Sequence, residues 1–199
     1  MIKEISKYIP TNSIDLVGEI LVKNPISIKV VNQRATKHGD FKVLRNGKTQ
    51  ITINNNLNKY QFLLTLIHEI AHFETFRKSR RVKPHGIEWK RNFQYLMLPF
   101  LQPTIFPNSL LPYLANYLKN PKASTGSDVN LSRALLYYSE TSTNNYIFEL
   151  EVGTLFNYKN KTYKLGKKRR TRFECLEIKS KKLYLFNQNA EIEIIKNKM

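Results

Sequence analysis

Cysteine occurs once in this chain, at Cys175, so no internal disulfide can form. The same scarcity excludes a zinc ribbon, which needs paired cysteines, and it fits a reducing compartment. Acidic residues are also scarce, with 15 Asp and Glu against 33 Lys and Arg and a formal net charge of +18. Such a balance favours polyanionic partners, nucleic acid first, and says nothing about fold. Long apolar runs are missing as well. No stretch approaches the ~18 uninterrupted apolar residues of a membrane span. The first ten residues, with Lys3, Glu4 and Lys7, lack the apolar core of a signal peptide. The expectation is a cytoplasmic protein with no membrane partner.

What is present suffices for a folded core. The chain has 199 residues, 41% of them hydrophobic, enough for one domain of moderate size and a small appendage. Residues 1–24 read as a helical lead-in, with Ile14, Leu16, Val17, Ile20 and Leu21 at helical spacing and Pro25 as a break. Ile26–Val31, Phe41–Leu44 and Thr49–Asn54 read as strands, separated by the turn signals Gly39-Asp40 and Asn46-Gly47. These predict a three-stranded antiparallel meander.

A long helix follows, opened by Asn58 as N-cap with Gln61 three residues on. A second helix is expected near Pro84, with Ile87, Trp89, Phe93, Leu96 and Met97 as its apolar stripe and Pro99 as its stop. Residues 121–145 read as a linker with a short helix. From Tyr146 the pattern changes to short β-runs punctuated by Gly153, Asn160, Gly166 and Asn187. The fold class is therefore α+β: a strand meander packed on helices over residues 1–120, then a small basic all-β barrel or sheet over 146–199.

The chemistry centres on His68-Glu69-Ile70-Ala71-His72. Positions i and i+4 share one helix face, about 6 Å apart along the axis, so both imidazoles can reach one ion. Glu69 is rotated about 100° from His68 and flanks that ion without entering its ligand set. Zinc lowers the pKa of water towards about 7, and Glu69 can accept the proton as general base. Isolated HExxH patterns occur by chance on ordinary helices. Here the motif lies in a strongly apolar helix, where unpartnered imidazoles and a carboxylate would be costly.

A catalytic zinc takes three protein ligands. The metzincin spacing is excluded, because Thr75 and Lys78 occupy the positions of its glycine and third histidine. His85 in Pro84-His85-Gly86 is the leading third ligand, with Gly86 allowing close backbone approach. Glu88 and Glu74 are the rivals. His38 reads as an exposed turn residue, or else as a substrate or nucleic-acid contact.

These residues resemble a known family. Thr65-Leu-Ile-His68-Glu69-Ile-Ala-His72, followed by His85-Gly86 and Trp89-Lys90, is similar to the SprT-like zinc metalloprotease domain. The strand exit at Asn54–Leu57 also fits, and the resemblance spans roughly residues 5–115. It implies one zinc on His68, His72 and His85, with Glu69 catalytic, in a metalloendopeptidase. Better-known relatives degrade proteins crosslinked to DNA, which suits the charge of this chain. Many relatives carry a Cys-rich zinc ribbon after the protease domain, and the lone Cys175 leaves none here.

Two basic runs offer nucleic-acid contacts: Arg77, Lys78, Arg80, Arg81 and Lys83, and Lys167, Lys168, Arg169, Arg170 and Arg172. Tyr158, Tyr163, Phe173, Tyr184 and Phe186 interleave with the second run, as stacking platforms or as barrel core. A peptide substrate is expected to add as a strand along Gln50–Asn54. The sequence thus points to a zinc peptidase acting on protein bound to DNA. The alternatives are a nucleic-acid-binding module with a structural or silent zinc site, and a metal-dependent hydrolase of another amide.

Overall fold

The structure is a computed structural model, and it describes residues 2–34, 36–79, 82–139 and 145–195. The chain divides into two compact units, Met1–Ser139 and Glu140–Met199. The first unit opens with helices α1 (Ile2–Ile5) and α2 (Ile14–Lys23), then strands β1 (Ser27–Val31), β2 (Gly39–Val43) and β3 (Thr49–Asn54). Helices α3 (Lys59–Lys78), α4 (Ile87–Met97), α5 (Leu111–Lys119) and α6 (Val129–Leu136) complete it. The second unit is a six-stranded antiparallel sheet of β4 (Asn145–Tyr146), β5 (Leu155–Tyr158), β6 (Lys161–Arg169), β7 (Arg172–Glu177), β8 (Leu183–Asn187) and β9 (Glu191–Ile194).

The α+β class holds, but the meander within it does not. The first sheet has the order β1-β3-β2, with β1 parallel to β3 and β2 antiparallel to it. Strand β3 is therefore central and buried along almost its whole length. Ile51 and Ile53 enter the core, while Thr52 and Asn54 point to the opposite face. There Arg34 satisfies them, donating from Nε to Asn54 Oδ1 and from Nη1 to Thr52 Oγ1, each at 2.9 Å. A strand paired on both sides has no edge for a peptide, so the expected docking along Gln50–Asn54 is corrected. The sheet's edges belong to β1 and β2. Gly39 and Asp40, expected as a turn, are the first residues of β2.

Helix α3 starts where its cap predicts. Asn58 Oδ1 accepts from the N–H groups of Tyr60 and Gln61 at 3.1 and 2.9 Å, and Gln61 Oε1 accepts from the Asn58 N–H. Its apolar residues surround the helix, as expected of one buried on most sides. Ile51 and Ile53 of the sheet and Trp89, Phe93 and Met97 of α4 share its core. Asn92 Nδ2 donates to Thr75 Oγ1 at 2.8 Å, tying α4 to α3.

The segment expected as a linker contributes α6 to the first unit. Leu131 and Leu135 are buried in that core, and Asn58 Nδ2 donates to the Leu135 carbonyl at 2.8 Å. In the second unit Tyr163 and Phe186 are buried around Phe156, Leu165 and Cys175, with Tyr158 and Phe173 packed against them. Tyr184 lies nearer the surface, 37% exposed.

Candidate metal centre

His68 and His72 lie one turn apart on α3, and the turn before α4 brings His85 to them. The three Nε2 atoms are 3.2 Å (His68–His72), 2.9 Å (His72–His85) and 3.3 Å (His68–His85) apart. Each neutral imidazole nitrogen is either a donor or an acceptor. Among three mutually contacting atoms, at least one pair must then set two protons or two lone pairs against each other. A cation at their centre removes that conflict. Metal–nitrogen bonds of about 2.0–2.1 Å at tetrahedral angles hold donors about 3.3 Å apart, so the three nitrogens fit such an ion. Among the described residues His68, His72 and His85 form the group that could hold a metal. Glu88 and Glu74, the rival third ligands, are not in it.

Backbone conformation delivers His85. The Gly86 N–H donates to the Lys83 carbonyl at 2.9 Å, closing a turn with Pro84 second and His85 third. His85 has φ +57°, the left-handed region that a type II turn demands at its third position. A histidine held there accepts strain that glycine or asparagine would relieve, as functional side chains often do. A Cβ on Gly86 would stand 2.9 Å from the Lys83 carbonyl oxygen, so the expected close backbone approach is present. Helix α4 then begins at Ile87, three residues after the Pro84 expected to open it.

Trp89 supports all three rings. Its indole is fully buried, with ring centroids 4.6 Å from His68, 5.2 Å from His72 and 4.7 Å from His85. Burial, with His72 and His85 nearby, drives the His68 pKa down to about 2. Burial and then His85 lower that of His72 to about 4. Burial lowers that of His85 too. All three imidazoles are thus neutral at neutral pH, the form that binds metal.

Glu69 is 7% exposed and points to the edge of β2. Burial first, then the Asp40 carboxylate, pushes its pKa up to about 8, against the lowering effects of the Phe41 N–H bond, Arg34 and Lys37. Gly39 is what allows this approach. A Cβ there would stand 2.6 Å from Thr65 Cγ2 and 2.7 Å from Glu69 Oε1. Sequence reading missed this contact, because nothing local marks Gly39 as packed against a helix 30 residues away. We expect Gly39→Ala to cost about 1–3 kcal/mol in denaturant unfolding, since two side chains or the strand must shift. An unchanged midpoint would remove the close packing from the account.

The remaining predicted site residues are dispersed. His38 is exposed, and its carbonyl accepts from the Asn54 N–H at 2.9 Å. Arg77 Nη1 donates to Lys23 O and Asn24 Oδ1 at the end of α2, and Lys78 Nζ donates to Asn92 Oδ1. Both are exposed yet engaged with neighbours. Lys83 is exposed beside the His85 turn, while Arg80 and Arg81 lie outside the described residues. Lys167, Lys168, Arg169, Arg170 and Arg172 are exposed at the β6–β7 hairpin, where Arg169 pairs with Glu174.

Residues 17–104 match the model of the SprT-like family. No curated protein and no solved structure matches the chain. The matched span covers the first sheet, α3, the His85 turn and α4. The segment that builds the metal centre is therefore SprT-like.

Proposed function

We propose that this protein is a zinc metalloendopeptidase acting on proteins bound or crosslinked to DNA. The observation that carries the reading is the convergence of His68, His72 and His85 beside a buried glutamate. Three neutral imidazoles fit zinc as its protein ligands and leave a fourth position for chemistry. Zinc so held supplies Lewis acidity and makes water acidic near neutral pH. The chain's own work falls to Glu69. The Phe41 N–H orients its carboxyl group, which burial keeps protonated up to about pH 8 in the metal-free protein and which a cation on the neighbouring imidazoles would ionise into the base. It accepts a proton at a carboxylate oxygen during attack on the peptide carbonyl and returns it to the leaving amine.

The free edge of β2 supplies the substrate track. The His38 carbonyl turns inward to β3, so by the strand's period of two Gly39, Phe41 and Val43 turn their backbone groups outward, where Glu69 takes the Phe41 N–H. An extended peptide added there runs past Glu69. Val43→Pro deletes one outward N–H while sparing the β3 ladder. We expect it to raise KM roughly tenfold, one hydrogen bond's worth, with bound zinc unchanged. An unaltered KM would reject this track.

The net charge of +18 and exposed Lys83 near the centre support DNA as the platform that presents the substrate. The test is incubation of the zinc-loaded full chain with a DNA-bound protein, with and without the DNA. DNA-dependent fragments support the proposal. Equal cleavage without DNA leaves a peptidase of wider range. Binding without any cleavage favours a nucleic-acid module with a silent zinc site.

A further inference from the structure

The second unit gathers cations at one corner of its sheet. From Val152 to Phe173 the chain has no Asp or Glu, and Lys167, Lys168, Arg169, Arg170 and Arg172 surround the β6–β7 turn. All of them are exposed. Register assigns them to both faces of the sheet. Lys168 opposes Phe173, and directly opposed residues of antiparallel strands share a face. Phe173 packs on the core around Cys175, so Lys168 borders the core face. Arg169 opposes Arg172 one position on, and these two occupy the outer face. There Arg169 holds Glu174. Lys167, Lys168, Arg170 and Arg172 have no carboxylate at ion-pair distance among the described residues. The other glutamates of the outer face stand at the far end of the sheet. Glu193 opposes Asn157, which opposes Thr162, about 23 Å along β6 from Arg169. By the same register Glu191 is farther still. At the tip Arg170 has φ +41°, a conformation that glycine or asparagine adopts more readily. The turn thus keeps a charge where it would fold more easily without one.

We propose that this corner enters the major groove of duplex DNA edge-on, with Lys168 toward one phosphate wall and Arg172 toward the other. The proposal rests on DNA being the partner and needs nothing of the metal centre. A patch that lies flat on DNA needs cations on one face. Cations on both faces and at the tip fit a slot with a charged wall on each side. Sheets stack about 10 Å apart, which is the thickness of one sheet with its side chains. The major groove of B-form DNA, about 12 Å wide and 8.5 Å deep, admits that thickness, and the minor groove, about 6 Å wide, does not. The major groove of duplex RNA is too narrow for side chains to enter. Single strands are gripped by stacking their bases on exposed rings. Here Phe156, Tyr163 and Phe186 are buried, and Tyr158 and Phe173 pack on that core. Affinity would come from counterions released as lysine and arginine neutralise phosphates.

The test uses the full chain and a fluorescent DNA duplex of about 20 base pairs, with affinity followed against salt. The wild type is expected to bind it at least about tenfold more tightly than an RNA duplex or a single strand of the same sequence. Lys168→Gln and Arg172→Gln, one on each face, should each lower the slope of log affinity against log salt by about 1. Lys168→Arg and Arg172→Lys keep the charge and should keep the wild-type slope. Arg170→Asn removes a cation yet suits the backbone of the turn, so binding should weaken while stability against denaturant holds or rises. Misfolding cannot produce that pair of results. Bulky groups on pyrimidine C5, where the thymine methyl projects into the major groove, should weaken binding about tenfold or more. The Glu69→Gln variant should bind like the wild type, so a failed peptidase reading leaves this surface standing. A slope lowered by only one of the two glutamine substitutions overturns the proposal in favour of a flat contact. Unweakened binding of the C5-blocked duplex overturns it in favour of another groove. An RNA duplex or single strand bound as tightly as the DNA duplex also overturns it. Displacement of the duplex by polyglutamate of matched charge overturns it in favour of an acidic protein partner.

Discussion

Glu69→Gln is expected to lower peptide hydrolysis by about 10²–10⁴-fold while bound zinc stays at the wild-type level. Glutamine matches the carboxylate in size and can still meet the Phe41 N–H through its amide oxygen, so packing beneath Gly39 is preserved. What it loses is the ability to accept a proton. A second consequence appears in the metal-free protein. The wild-type carboxyl holds its proton up to about pH 8 when folded, whereas an unfolded one releases it near 4.3. Between those values the folded state binds more protons, so rising pH erodes wild-type stability relative to the variant. Denaturant unfolding should show the two alike near pH 4 and the variant ahead by up to about 5 kcal/mol above pH 8. A variant that retains full hydrolysis would remove Glu69 from the reaction. A stability difference that does not vary with pH would contradict the buried carboxyl.

His85→Asn is expected to cut zinc affinity by more than about 100-fold, beyond what loss of an outer-shell partner costs. The substitution is chosen for its backbone. Asparagine tolerates the φ of +57° that His85 adopts, and it is preferred over most residues there. The Lys83–Gly86 turn should therefore survive, and metal-free stability should hold or rise slightly. Competition with a chelating dye reads the affinity. The emission of Trp89, the chain's one tryptophan, is expected to change when zinc binds the rings stacked on it. Unchanged affinity would hand the third ligand position to another group. A lost fold would show that the turn depends on the imidazole itself.

Local signals in the sequence were sufficient for the helix and its motif. The Asn58–Gln61 cap and the i, i+4 spacing of His68 and His72 depend on neighbours within one turn, and the structure repeats both. The third ligand needed only a short return of the chain, which Pro84 and Gly86 signal. The sheet order was not legible. Gln50, Thr52 and Asn54 alternate with isoleucines as in a half-exposed strand, yet Thr52 and Asn54 are buried because Arg34 covers and satisfies them. Nothing in the alternation discloses that cover, so β3 read as one strand of a meander and not as the centre of a mixed sheet. Gly39 was misread for a related reason. A glycine before aspartate signals a turn, whereas here its missing side chain makes room for Thr65 and Glu69.

Zinc stoichiometry is the measurement that tests the account most directly. The protein is stripped with chelator, titrated with zinc, and analysed for metal per chain beside the His68→Ala/His72→Ala/His85→Asn triple variant. The account predicts one tightly held zinc in the wild type and none in the variant. No zinc in the wild type, or one zinc in both, would contradict it.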